Sequence, residues 1–159
     1  MSDTVNVLII EDSEDDAILI VRSLRQSGFV LTWERVQTVE ELNQALTNRT
    51  WDVIISDYNL PKMNAPMALE IVKQSQLDLP FIVVSGTIGE TLAVDLMRAG
   101  ANDYLMKGSL ARLAEAVRRE IREFKMRQER QQASLELELT KQRLQLALEG
   151  SAIGLWLLS

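Results

Sequence analysis

Five short β-rich runs alternating with stretches of helical period restrict this chain more than any other feature. Residues 6–10, 31–36, 51–56, 81–85 and 102–106 read as strands, while 14–28, 39–48, 65–76, 88–100 and everything from 109 read as helices. Runs such as Val5–Ile10 and 53–55 are dominated by apolar residues instead of alternating strictly, as a strand covered on both faces requires. A parallel sheet between helical layers follows. Gly28 and Gly100 fall where helices would stop, Thr38 precedes Glu41 at capping-box spacing, and Pro61, Pro66 and Pro80 fall between elements. The expected class is a doubly wound α/β sandwich, whose ligands bind beyond the carboxyl ends of the strands, where the strand order reverses.

Two absences narrow the chemistry. The chain has no cysteine and no histidine, which excludes thiolate or imidazole zinc sites, cysteine nucleophiles and Ser-His-Asp triads within it. A net charge of -6 repels a phosphate backbone, so direct nucleic-acid binding is not expected. Charge is also unevenly spread: residues 1–111 carry 16 acids and 8 bases, and residues 112–148 carry 6 acids and 9 bases. The two parts therefore have different roles. No apolar run nears the roughly 20 residues of a membrane span, and no basic flank or apolar stretch resembling a signal peptide opens the chain, so a cytoplasmic location without membrane contact is expected.

The strand ends carry a coherent set of groups. Glu11 and Asp12 follow the first strand, Asp57 the third, Ser85 the fourth and Lys107 the fifth. Three converging carboxylates repel one another unless a cation sits among them, and an oxygen-only site with room for water suits Mg2+. Asp57 is then both a metal ligand and a nucleophile. A hydroxyl from Ser85 and an ammonium from Lys107 are what a phosphoryl group needs on its other side. Taken singly, each of these residues is better explained as a solvated loop, cap or strand end; their joint placement reverses that. Glu14, Asp15 and Asp16 read as first-turn acids favoured by the helix dipole. Trp33, Trp51 and Met97 read as packing residues.

The acidic pair, the Asp in SDYNLP, the Ser in VVSGT and the Lys in DYLMKG together resemble, in order and spacing, the receiver domain of two-component response regulators, over about residues 5–124. The resemblance implies a flavodoxin-like sheet of strand order 2-1-3-4-5 with an extended C-terminal helix. It further implies that Asp57 accepts a phosphoryl group from a phosphohistidine on a sensor histidine kinase or phosphotransfer protein, a donor that this histidine-free chain cannot supply. Mg2+ would be held by Glu11, Asp12, Asp57 and the backbone carbonyl of Asn59, and Ser85 and Tyr104 would form a switch pair. The Ser85 hydroxyl would move toward the new dianion and the Tyr104 ring would enter the vacated space. Gly86 leaves the approach to phosphorus uncrowded, and Asn59 is placed to tune a slow self-dephosphorylation, the extent of any enzymatic activity expected. Ala65, where a glycine is common, and Gly108, where a proline usually follows the lysine, depart from the pattern. The second loosens the expected placement of Lys107 and, with it, the hold on the phosphorylated state.

From Ser109 no glycine or proline occurs until Gly150. Leu110, Leu113, Val117, Ile121 and Phe124 form a stripe able to pack on the sheet, after which residues 125–134 are dominated by Lys, Arg, Gln and Glu. Leu135, Leu139, Gln142 and Leu146 then restore a spacing of four, three and four, a short heptad seam. The expected organisation is a receiver domain at 1–124, a helical stalk or coiled-coil linker at 125–148 and the start of a following module at 149–159. The alternatives for the stalk are a single solvated helix and a parallel homodimer, and the second is favoured because isolated polar helices are marginal in water. QRLQLALEGSAIGLWLLS is similar to the entry into a PAS sensor domain.

Three rival functions share this pattern. A phosphohydrolase of the haloacid dehalogenase type needs an acid two residues after its nucleophile, where this chain has Asn59. A flavodoxin-like cofactor binder would place its phosphate loop at EDSEDD, anion against anion. A receiver-shaped adaptor that is never phosphorylated is the remaining alternative, disfavoured by the intact Asp57, Lys107 and acidic pair.

Overall fold

The computed structural model describes residues 4–86 and 89–150. Five strands and five helices alternate: β1 (Val5–Ile10), α1 (Glu14–Gln26), β2 (Leu31–Val36), α2 (Val39–Asn48), β3 (Val53–Asp57), α3 (Ala65–Gln74), β4 (Phe81–Ser85), α4 (Glu90–Ala99), β5 (Asp103–Met106) and α5 (Leu110–Gly150), with a 3-10 turn at Lys107–Ser109 before the last. All strand pairs are parallel and the order is β2-β1-β3-β4-β5, as the sequence led us to expect. The expected helix from residue 88 begins at Glu90, with Gly89 as its N-cap; Ile88 lies outside the described residues.

Strand pleating divides the core into two layers. Val7, Ile9, Val53, Ile55, Ile82, Val84 and Leu105 face one side, where Ala17, Val21 and Leu24 of α1 and Leu113 and Val117 of α5 meet them. Leu8, Ile10, Ile54, Phe81 and Val83 face the other, against Leu42, Ala68, Leu69 and Leu96 of α2, α3 and α4. Central strands are covered on both faces, and β3 and β4 are buried at all five residues each, polar only toward their carboxyl ends at Ser56, Asp57 and Ser85.

The starts of α1, α2 and α3 are fixed by side-chain caps, and Pro66, expected between elements, lies instead in the first turn of α3, where its missing N–H costs no helical bond. Ser13 Oγ accepts from the Asp16 N–H at 3.2 Å, Thr38 Oγ1 from Glu41 at 3.1 Å and Asn64 Oδ1 from Met67 at 2.9 Å. Gly100 closes α4 in the left-handed region at φ 118°, which a side chain would strain.

The chain divides into two units, Met1–Phe124 and Lys125–Ser159. In the first, α5 buries Leu113, Ala114, Val117 and Ile121. In the second, residues 128–150 are helical and exposed throughout, and Leu135, Leu137, Leu139, Leu144, Leu146 and Leu148 are 41–67% exposed. Among the described residues no helix is long and apolar enough to cross a membrane. The segment similar to a PAS entry lies, from residue 151, outside the described residues.

Candidate functional site

Parallel register aligns the ends of the strands. Ile10 pairs with Ser56 and Asp57 with Val84, so the residues just past β1 lie beside Asp57 at the centre of the sheet. Glu11, Asp12 and Asp57 each offer a carboxylate oxygen, and these atoms lie within 4.8 Å of one another. Glu11 is 1% exposed and Asp57 9%, whereas Asp12 is exposed. Buried charge thus sits at the floor of the site and solvated charge at its rim.

Lys107 leaves β5 on the same side of the sheet as Leu105 and reaches this group. Its Nζ lies 3.3 Å from Asp57 Oδ2 and 3.4 Å from Glu11 Oε2. The shortest contact goes to Asp16 Oδ2, at 2.8 Å. Asp16 is in the first turn of α1, as the sequence indicated, but it is also the closest partner of the lysine. No spacing rule exposes that pair, because the two residues are 91 positions apart and the lysine stem spans the gap.

The electrostatics follow from burial. Glu11 is pushed up to about 7, chiefly by desolvation, opposed by the hydrogen bond from the Ser13 N–H to its Oε1 at 3.1 Å and raised further by Asp12 and Asp57. Its Oε2 is buried and receives no hydrogen bond from the described residues, the lysine being too poorly aligned at 3.4 Å to supply one. Lys107 is partly desolvated, but its three carboxylate neighbours, led by Asp16, hold its ammonium above the ordinary value.

Arg35, at the end of β2, was not singled out from the sequence. It donates from Nη1 to the backbone carbonyls of Glu11 and Asp12, both at 3.3 Å, and so braces the turn that carries the acidic pair.

Ser85 and Tyr104 occupy the opposite layer. Ser85 is 1% exposed at the end of β4, next to Val84 that pairs with Asp57. Tyr104 is half-buried on β5, packed on the cluster that includes Val83 and Leu96, and its hydroxyl lies 3.3 Å from Met106 Sδ. Pairing of Val83 with Tyr104 and of Ser85 with Met106 puts serine and tyrosine on adjacent strands and the same face. Asn59 lies in the exposed loop after β3, which is closed by the Ala65 N–H on the Tyr58 carbonyl at 3.1 Å. Among the described residues, a side chain at Gly86 would meet nothing within 4 Å. Trp51 is a packing residue, 5% exposed, and Trp33 packs against the core in part. Met97 is not one: it is 44% exposed on α4, on the same side of the helix as the exposed Val94.

A family model for the response regulator receiver domain matches residues 7–118. The transcriptional regulatory protein PrrA of Mycobacterium tuberculosis is 34% identical over 113 residues, 71% of this chain and 47% of PrrA. The chain thus spans about half the length of that relative. The chemotaxis protein CheY1 of Helicobacter pylori is 27% identical over 108 residues, 65% of this chain and 85% of CheY1. Among solved structures, a response regulator receiver domain protein from Clostridium thermocellum superposes with a TM-score of 0.66 at 25% identity, over 77% of this chain and 98% of that one.

Proposed function

The chain belongs to the response regulator receiver family of two-component signalling, and from that membership we propose that Asp57 is its phosphoacceptor, served by a sensor histidine kinase or a phosphotransfer protein. The observation that carries this reading is the meeting of Asp57 with Glu11, Asp12 and Lys107 at one strand edge. In the transfer, an Asp57 carboxylate oxygen bonds to phosphorus as the bond from phosphorus to the donor imidazole nitrogen breaks, the electron pair leaving on that nitrogen. Lys107 neutralises a phosphoryl oxygen and the buried Ser85 hydroxyl donates to another.

The donor set fits Mg2+: all-oxygen ligands, three of them within 4.8 Å, one a buried oxygen lacking a hydrogen bond. Glu11, Asp12, Asp57 and the Asn59 carbonyl would hold the ion, which when bound neutralises charge that builds up on the phosphoryl group. The site is that of a phosphoacceptor with slow self-dephosphorylation, not of a turnover enzyme.

Ser85 and Tyr104 are the proposed switch pair, supported by their shared face on paired strands. Residues 1–124 are then the receiver and 125–148 a linker that relays its state to a module beginning near 149, by way of a parallel homodimer whose seam is Leu135, Leu139, Gln142 and Leu146. The exposure of those leucines supports a partner for them. The protein works in the cytoplasm on this reading. Incubation with a small phosphodonor and Mg2+ tests it: a base-labile mass gain is expected on the wild type and not on Asp57→Asn. Absence of gain would favour the adaptor reading.

A further inference from the structure

We propose that Asp16 is a positioning residue for Lys107, a latch that holds the ammonium at the mouth of the site until Asp57 carries a phosphoryl group; this rests on the reading of Asp57 as phosphoacceptor. The contact order is the first support. Lys107 Nζ lies 2.8 Å from Asp16, against 3.3 Å from Asp57 and 3.4 Å from Glu11, and it hydrogen-bonds the first two.

The second support is where each partner is anchored. The Asp16 backbone is fixed by its hydrogen bond to the Ser13 cap, and the next residue, Ala17, is fully buried, so its carboxylate stands on a rigid turn. Lys107 has a four-carbon stem and is 32% exposed, which lets its ammonium pivot without moving the backbone. Asp16 contributes no atom to the group formed by Glu11, Asp12 and Asp57. Its hold on the lysine therefore draws the ammonium toward the rim while leaving it within reach of Asp57.

A dianionic phosphoryl group on Asp57 competes for the same ammonium and, with more charge and more acceptor oxygens, draws it off Asp16. No covalent bond changes in this step. Asp16 thus stabilises the unphosphorylated state selectively. A pair this exposed carries a modest energy, so the latch yields readily.

The test follows the initial rate of base-labile mass gain on the full chain with acetyl phosphate and Mg2+, for wild type, Asp16→Asn, Asp16→Glu and Asp15→Asn. Asp15 is the exposed neighbour whose carboxylate is not among the partners of Lys107. The expected result is an Asp16→Asn rate higher on the order of threefold, with Asp16→Glu returning most of the way to wild type and Asp15→Asn unchanged. An Asp16→Asn rate at or below wild type, or an equal acceleration by Asp15→Asn, overturns the latch while leaving Asp57 as acceptor. No gain on the wild type overturns the reading of Asp57 and the latch with it.

Discussion

Glu11 and Lys107 face each other at 3.4 Å across the carboxyl edge of the sheet, yet the buried Oε2 of Glu11 receives no hydrogen bond from the described residues. The ammonium spends its well-aligned donors on Asp16 and Asp57. A buried carboxylate oxygen in that condition is stabilised by taking a proton or by meeting a cation. A proton and the proposed divalent ion would therefore compete at Glu11.

The first consequence concerns metal affinity. With Glu11 pushed up to about 7, its protonated form dominates below that pH and must lose the proton to bind Mg2+. Affinity measured by calorimetry should rise with pH, by at most about tenfold per unit, and level off above about 7. Glu11→Gln should bind more weakly and lose the inflection.

The same shift fixes a stability trend in the metal-free protein. Glu11 has a higher pKa folded, about 7, than its ordinary 4.5, so between those values the folded state binds more protons than the unfolded one. Stability then falls as pH rises from about 4.5 to about 7 and is insensitive to this group beyond it. Thermal melts with a chelator should show the decline in the wild type, and Glu11→Gln should lack it.

Arg35 offers a test of the brace under the acidic pair. Removing its guanidinium releases the carbonyls of Glu11 and Asp12, which are held at 3.3 Å, without touching a carboxylate. Arg35→Ala should weaken Mg2+ binding on the order of tenfold, as loss of groups that orient metal ligands does. Circular dichroism should be unchanged, since Arg35 lies at the end of an edge strand.

The proposed stalk dimer can be tested because the chain has no cysteine of its own. In a parallel, in-register coil on the Leu135, Leu139 and Leu146 seam, Glu138 of one helix is set opposite Arg143 of its partner copy, an attraction that favours this register. Leu139→Cys should then form an intermolecular disulfide quickly under mild oxidation, and Leu144→Cys, on the opposite helix face, slowly. Equal rates would argue for a single solvated helix.

The strand-end groups were legible because parallel pairing converts order along the chain into adjacency at one edge. Glu11, Asp12, Asp57 and Lys107 each follow an apolar run, and register does the rest. Asp16 and Arg35 were not, for a physical reason: both act through long side chains that reach across elements, a lysine in one case and an arginine in the other. A capping serine followed by acids explains Asp16 locally, so nothing in the pattern asks for a second role. Met97 failed differently. The exposed side of α4 carries other apolar residues, Val94 beside Met97 among them, and apolar identity there does not imply burial.

The central claim is that Asp57 carries the phosphoryl group, and locating the modification tests it most directly. After treatment with acetyl phosphate and Mg2+, borohydride reduction converts an aspartyl phosphate to homoserine, and trypsin releases the peptide spanning residues 50–62, which contains both Asp52 and Asp57. Tandem mass spectrometry should find homoserine at position 57. Homoserine at 52 alone, or at neither position while the intact protein gains phosphate, would contradict the assignment.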